Sequence, residues 1–155
     1  MFTNKDVVMD PSTTSATRLA PKGSFMWYTH PDNGQQLYRH GKAPSGGCTA
    51  GLLYAPDATS SDSELTTGTT AANLRRAKLY GVAQNAIAAN EYGWFLVRGV
   101  GTGTAASNTA DGAYVGAEGT AGKIGDASVS QEIGRCVAGA QVNADATGLF
   151  QFDLI

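Results

Sequence analysis

The sequence predicts a mainly β domain: a small β-barrel or β-sandwich built from hairpins, with one short helix and an extended N-terminal arm. Three observations carry this. A turn signal, "PDNG" at 31–34, separates two runs of strand character. The bulky residues come in short clusters, "SFMWY", "LLY" and "YGWFLV". Two segments that resemble each other, 80–97 and 133–152, both close on an apolar run, which favours strands over a long helix.

Residues 1–22 read as an arm, and 23–155 as a single β-rich domain. "DPSTTSATRLAPKG" has two prolines, a Ser/Thr cluster and little periodicity. The apolar handles of the arm are Phe2, Val7, Val8, Met9 and Leu19. Such a segment either frays or becomes ordered by lying on a partner. Beyond it, "SFMWYTH" and "QQLYRH" predict antiparallel strands over 24–30 and 35–40. Asn33-Gly34 supplies the positive φ of a tight turn. "TAGLLYA" predicts a strand closed by Pro56, and 57–70 a polar surface loop. "TAANLRRAKL" at 70–79 has Thr70 as a cap and good helix formers behind it, so a short helix is predicted over 71–76. Gly81 and the alanine run leave open a longer helix, through about 89. The paired segments 80–97 and 133–152 each read as strand, connector and partner strand. Between them, "DGAYVGA" and "AGKIGDAS" predict short strands or edge segments.

Composition bounds the function. The chain has 155 residues and a formal charge of −2, so no basic excess is present to hold nucleic acid. No segment approaches 18 consecutive apolar residues, so no membrane span is expected. The start lacks the apolar core of a secretory signal, which points to synthesis in a cytoplasm. Ala, Gly, Ser and Thr supply 70 residues, while Leu, Ile, Val and Phe supply 28. Low bulk without high net charge predicts a folded domain with a thin core, of the kind that gains stability from neighbouring subunits. Cys48 and Cys136, far apart in sequence, are expected to be free.

Several chemical sites are weighed and set aside. "GTGTAA" at 101–106 has the spacing of a dinucleotide loop, but "SNTADGAYVG" follows it with no helical period. "GTAGKIG" at 119–125 lacks both the spacing and the hydroxyl of a phosphate loop. His30, His40, Cys48 and Cys136 could ligate a metal, yet no ligand spacing supports a site. Cys48 on the turn "SGGCTAG", or His30 near Asp32 in "THPD", could serve nucleophilic chemistry. A small residue in a tight turn explains Cys48 as well, and the proline between His30 and Asp32 favours a turn over a dyad. No catalytic residue, cofactor or metal is expected.

"LYGVAQNAIAANEYGWFLVRGVGTG" at 79–103 resembles small phage head proteins of the capsid cement or decoration kind. "AGKIGDASVSQEIGRCVAGAQVNADATGLFQFDLI" at 121–155 and the hairpin followed by "GCTAGLLYAPDAT" resemble the same group. The resemblance covers roughly 24–155 and leaves the arm out. It implies a non-enzymatic virion protein that binds the outer surface of a capsid and cements the shell. Its partners would be the major capsid protein and itself, as a trimer or dimer. The arm residues with Trp27, Tyr28 and Trp94 are then expected to make capsid or intersubunit contacts. A tail, fibre or adhesion module that binds carbohydrate through surface aromatics is the alternative.

Overall fold

The computed structural model describes residues 10–56, 65–67, 80–118, 122–127, 132–137 and 141–155. Strands β1 (Phe25–His30) and β2 (Gly34–Lys42) form the expected hairpin, paired from His30↔Gly34 to Phe25↔Arg39. The turn is looser than a two-residue one. Pro31, Asp32 and Asn33 make the loop, and Gly34 alone takes the positive φ, 70°. Pro31 locks its own φ near −65°, which suits the first corner of a type I turn and leaves the left-handed step to the glycine. The His30 imidazole closes the loop: Nδ1 accepts the Asp32 and Asn33 N–H groups at 3.1 and 3.2 Å.

Among the described residues eight further strands follow: β3 (Leu53–Pro56), β4 (Leu65–Thr67), β5 (Gly81–Ala83), β6 (Tyr92–Thr104), β7 (Tyr114–Ala117), β8 (Ile124–Asp126), β9 (Gly134–Cys136) and β10 (Thr147–Asp153). All ten belong to one antiparallel sheet. It runs β4-β3-β5-β6-β10-β9-β7-β8, with the β1–β2 hairpin branching from β6. The sheet is not closed, which corrects the expected barrel or sandwich. Closure requires the outer strands to meet, and here β8 and β4 end the path while the hairpin makes a third edge. No helix is present among the described residues. The helix predicted over 71–76 lies outside them, and the extension towards 89 is replaced by β5 and a turn. The predicted loop 57–70 contains β4, paired with β3 through Tyr54↔Thr67.

β6 is the spine. β2 runs along its first half, from Lys42↔Tyr92 to Leu37↔Arg98, with an irregularity at Leu37/Tyr38. β5 pairs there too, through Val82↔Leu96. β10 takes the second half, from Asp153↔Arg98 to Thr147↔Thr104. Side chains complete the second half's hydrogen bonding. Gln84 Oε1 accepts the Thr102 N–H at 2.8 Å, and its amide donates to the Thr102 carbonyl at 3.1 Å. Gln36 Nε2 donates to the Val100 carbonyl. Buried backbone groups need such partners wherever no strand arrives.

The similarity of 80–97 to 133–152 is structural. Ile87 exchanges backbone hydrogen bonds with Cys48, and Val142 does the same with Thr109. Three residues on, Asn90 and Asp145 are the only described non-glycine residues at positive φ, 62° and 63°. Asn and Asp tolerate this region better than other side chains. Gly93 and Gly148 come next. A Cβ on Gly93 would meet Ile87 Cδ1 at 2.6 Å, and one on Gly148 would strike Val142. Phe95 and Phe150 then point inward, each fully buried. Each copy anchors its own core cluster. Ile87 and Phe95 sit with Tyr54, Tyr80, Cys48 and Ala83; Val142 and Phe150 sit with Leu96, Ile124, Phe152 and Ile133.

Candidate functional site

Register places the exposed chemistry. Tyr114 of β7 pairs with Arg135 of β9, which pairs with Gln151 of β10, so the three share one face, and all three are exposed. The Arg135 guanidinium stacks 4.2 Å from the Tyr114 ring centroid and donates to its hydroxyl. Alternation along β10 puts Leu149 and Asp153 on the same face as Gln151. Asp153 lies opposite Arg98, with Nε and Oδ1 3.8 Å apart. Both side chains are substantially exposed, so this pair contributes little stability. A cleft of about 270 Å³ follows, lined by Trp27, Gln35, Arg98, Gln151 and Asp153. Trp27 is 60% exposed, and Phe25, two residues back on the same face of β1, is 54% exposed. Tyr114, Leu149, Trp27 and Phe25, with Arg98 and Arg135 between them, therefore form one surface. Folding leaves these side chains substantially exposed, and aromatic and arginine side chains are types enriched where proteins meet.

The sequence-predicted residues divide. Trp27 lies at the centre of this surface. Tyr28 points to the other face of β1, half-buried beside a second, polar cavity. Leu19 is half-buried. Trp94 is only 4% exposed, packed edge-on against His40 at 4.9 Å, so the chain's own core occupies it. Phe2, Val7, Val8 and Met9 lie outside the described residues. Of the arm, Ser15 pairs with Tyr92 at the start of β6 through two backbone bonds of 3.0 and 2.8 Å. Phe25, Tyr114, Leu149, Arg98 and Arg135 were not singled out from the sequence. Phe25 was legible, two positions before Trp27 in an alternating strand. The others come from separate strands and gather only through pairing.

The fold is similar to that of a phage head fibre base. Compared with the N base of the head fibre gp8.5 of bacteriophage phi29, the chain has a TM-score of 0.54 and 12% identity, covering 77% of this chain and 95% of that one. No family model and no curated protein matches the sequence. At such identity the likeness concerns the fold.

The chemical candidates find structural places. Gly101 and Gly103 lie within β6, not in a turn, and no helix follows. A Cβ on Gly101 would collide with Leu96, and one on Gly103 with Ile124 and, at 2.8 Å, Phe150. These glycines are bare so that the core can press on the backbone. His30 and His40 sit at opposite ends of the hairpin. Among the described residues no group of three or more His, Cys, Asp and Glu is arranged to hold a metal. His40 is fully buried, stacked on Tyr92 at 5.8 Å, with neither ring nitrogen hydrogen-bonded. Burial holds its pKa below 6.5, and the Arg18 charge adds to this. Cys48 is buried and free, as is Cys136. Burial pushes the Cys48 thiol up to about 12, against a hydrogen bond with Tyr54 that lowers it. A nucleophilic cysteine needs the opposite shift. His30 spends Nδ1 on the hairpin turn instead of on Asp32 as a dyad partner.

Proposed function

We propose that the chain is a non-enzymatic structural protein of a phage head, which docks on the outer capsid surface and cements the shell. The exposed face built from Phe25, Trp27, Arg98, Tyr114, Arg135 and Leu149 carries this reading. Its aromatic and arginine side chains suit a protein partner, with the major capsid protein as the natural one. The fold likeness to a head fibre base supports a head-associated role. Self-association into a trimer or dimer would repeat the face by symmetry and multiply modest affinities through effective concentration. A protein that binds the assembled shell alone lowers that state's free energy, which is cementing by linkage.

The rival, a fibre or adhesion module gripping carbohydrate through exposed aromatics, has Trp27 in its favour but loses Trp94 to the core. Sedimentation with bare heads separates the two. Saturable pelleting at a simple ratio to the shell subunit, lost in Trp27→Ala with Leu149→Asp, is the expected result. Failure to pellet with heads bearing free sites removes the cementing reading.

A further inference from the structure

We propose that a neutral saccharide binds in the polar cavity between the Asp10–Ser12 turn and the inner face of the β1–β2 hairpin. This goes beyond the head-docking role and does not rest on it. The cavity has a volume of about 370 Å³, and its lining includes Asp10, Tyr28, His30, Asn33, Gln84 and Asn85. That size falls in the range of small-molecule sites, roughly 300–1,000 Å³.

Its chemistry is specific. Tyr28 supplies an aromatic wall, held edge-on to His30 at 6.3 Å and to Tyr38 at 6.4 Å between ring centroids. Such a wall packs against the C–H face of a sugar ring. His30 accepts two backbone N–H groups on Nδ1, so its proton resides on Nε2 and makes that nitrogen a donor. Asp10 Oδ1 accepts the Ser12 N–H at 2.8 Å, which lowers the carboxyl pKa and keeps an acceptor at neutral pH. Asn33 and Asn85 each offer a donor and an acceptor on one planar group, matched to pairs of neighbouring hydroxyls. The floor is rigid: Tyr38 donates to Gln36 Oε1 at 2.9 Å, and Gln84 is clamped to Thr102. A preorganised floor reduces the ordering cost of binding. Among the described residues no Lys or Arg lines the cavity, and Asp10 adds a negative charge, so phosphorylated or sulfated ligands are disfavoured. A polyhydroxylated, uncharged ring satisfies the aromatic wall, the paired amides and the charge together.

The test uses the whole chain and saturation-transfer NMR with calorimetry. The probes are methyl glycosides of glucose, galactose and N-acetylglucosamine, with glucose 6-phosphate as the charged control. The expected result is saturable binding of at least one neutral glycoside, with a dissociation constant of about 1 mM or tighter. Asn85→Ala and Asn33→Ala each weaken it at least tenfold with an unchanged melting temperature, while Trp27→Ala leaves it intact. The proposal is overturned if none of the glycosides saturates, if binding survives in the double Asn variant, or if Trp27→Ala abolishes it. Pelleting with heads is measured separately, so the two readings fail independently.

Discussion

The two copies of the internal motif, Ile87–Phe95 and Val142–Phe150, share a backbone and differ in what lies over them. In both, a bridge residue, a left-handed residue, a bare glycine and an inward phenylalanine recur at the same spacing. The residue between glycine and phenylalanine diverges. In the first copy it is Trp94, opposite His40 on β2 and 4% exposed; in the second it is Leu149, opposite Thr102 on β6 and 36% exposed. Local geometry is thus a property of the motif, whereas burial is decided by the neighbouring strand. Where the β1–β2 hairpin pairs beside the motif the residue is buried, and at Leu149 it is left exposed.

The largest expected effect tests whether the copies anchor separate cores. Phe95→Ala and Phe150→Ala should each cost about 3–5 kcal/mol in urea unfolding. Their sum should hold in the double variant within about 0.5 kcal/mol, as for sites that share no partners. A large coupling energy would mean one merged core, if the double variant folds well enough to measure. The glycines come next. Gly93→Ala and Gly148→Ala force Ile87 and Val142 to move, so a loss of about 1–3 kcal/mol is expected for each. Equal losses sharpen the comparison, and a neutral Gly148→Ala breaks it.

Asn90→Ala and Asp145→Ala should each cost roughly 1–2 kcal/mol, the penalty of left-handed backbone for an ordinary side chain. Replacement by glycine should restore or exceed the parent stability. Acid separates the copies, because the first carries His40 and the second has no counterpart. His40's folded pKa lies below its unfolded value of 6.5, so the unfolded chain binds the proton more readily. The contribution is full above pH 6.5 and is lost as pH falls below it, with a slope of at most about 1.4 kcal/mol per pH unit for one proton. Chemical denaturation of His40→Leu between pH 7 and 5 should show that part of the slope gone. The smallest stability change belongs to Leu149→Asp, within about 0.5 kcal/mol. The same variant should lose head pelleting, and retention of binding would remove Leu149 from the docking face.

The β character, the hairpin and the repeated segment were legible because each rests on neighbours in the chain. Asn33-Gly34 marks a turn whatever else is present, although Pro31 lengthens it by a residue. The thin core was read from composition, and its construction was not. Gly101 and Gly103 count as missing bulk in a tally, yet Leu96, Ile124 and Phe150 fill the space above them. Likewise Trp27 and Trp94 look equivalent as aromatics on strands, and only pairing separates the exposed one from the buried one.

By itself the sequence determined the β character, the hairpin turn at Asn33-Gly34 and the two matching strand–connector–strand segments. These follow from backbone sterics and side-chain size within a few residues. Tertiary structure alone decided that the sheet stays open, that His40 and Trp94 go inside, and that Tyr114, Leu149, Arg98 and Trp27 meet on one face. Strand order and cover depend on pairings between residues tens of positions apart, and no local preference encodes which strand will lie across which.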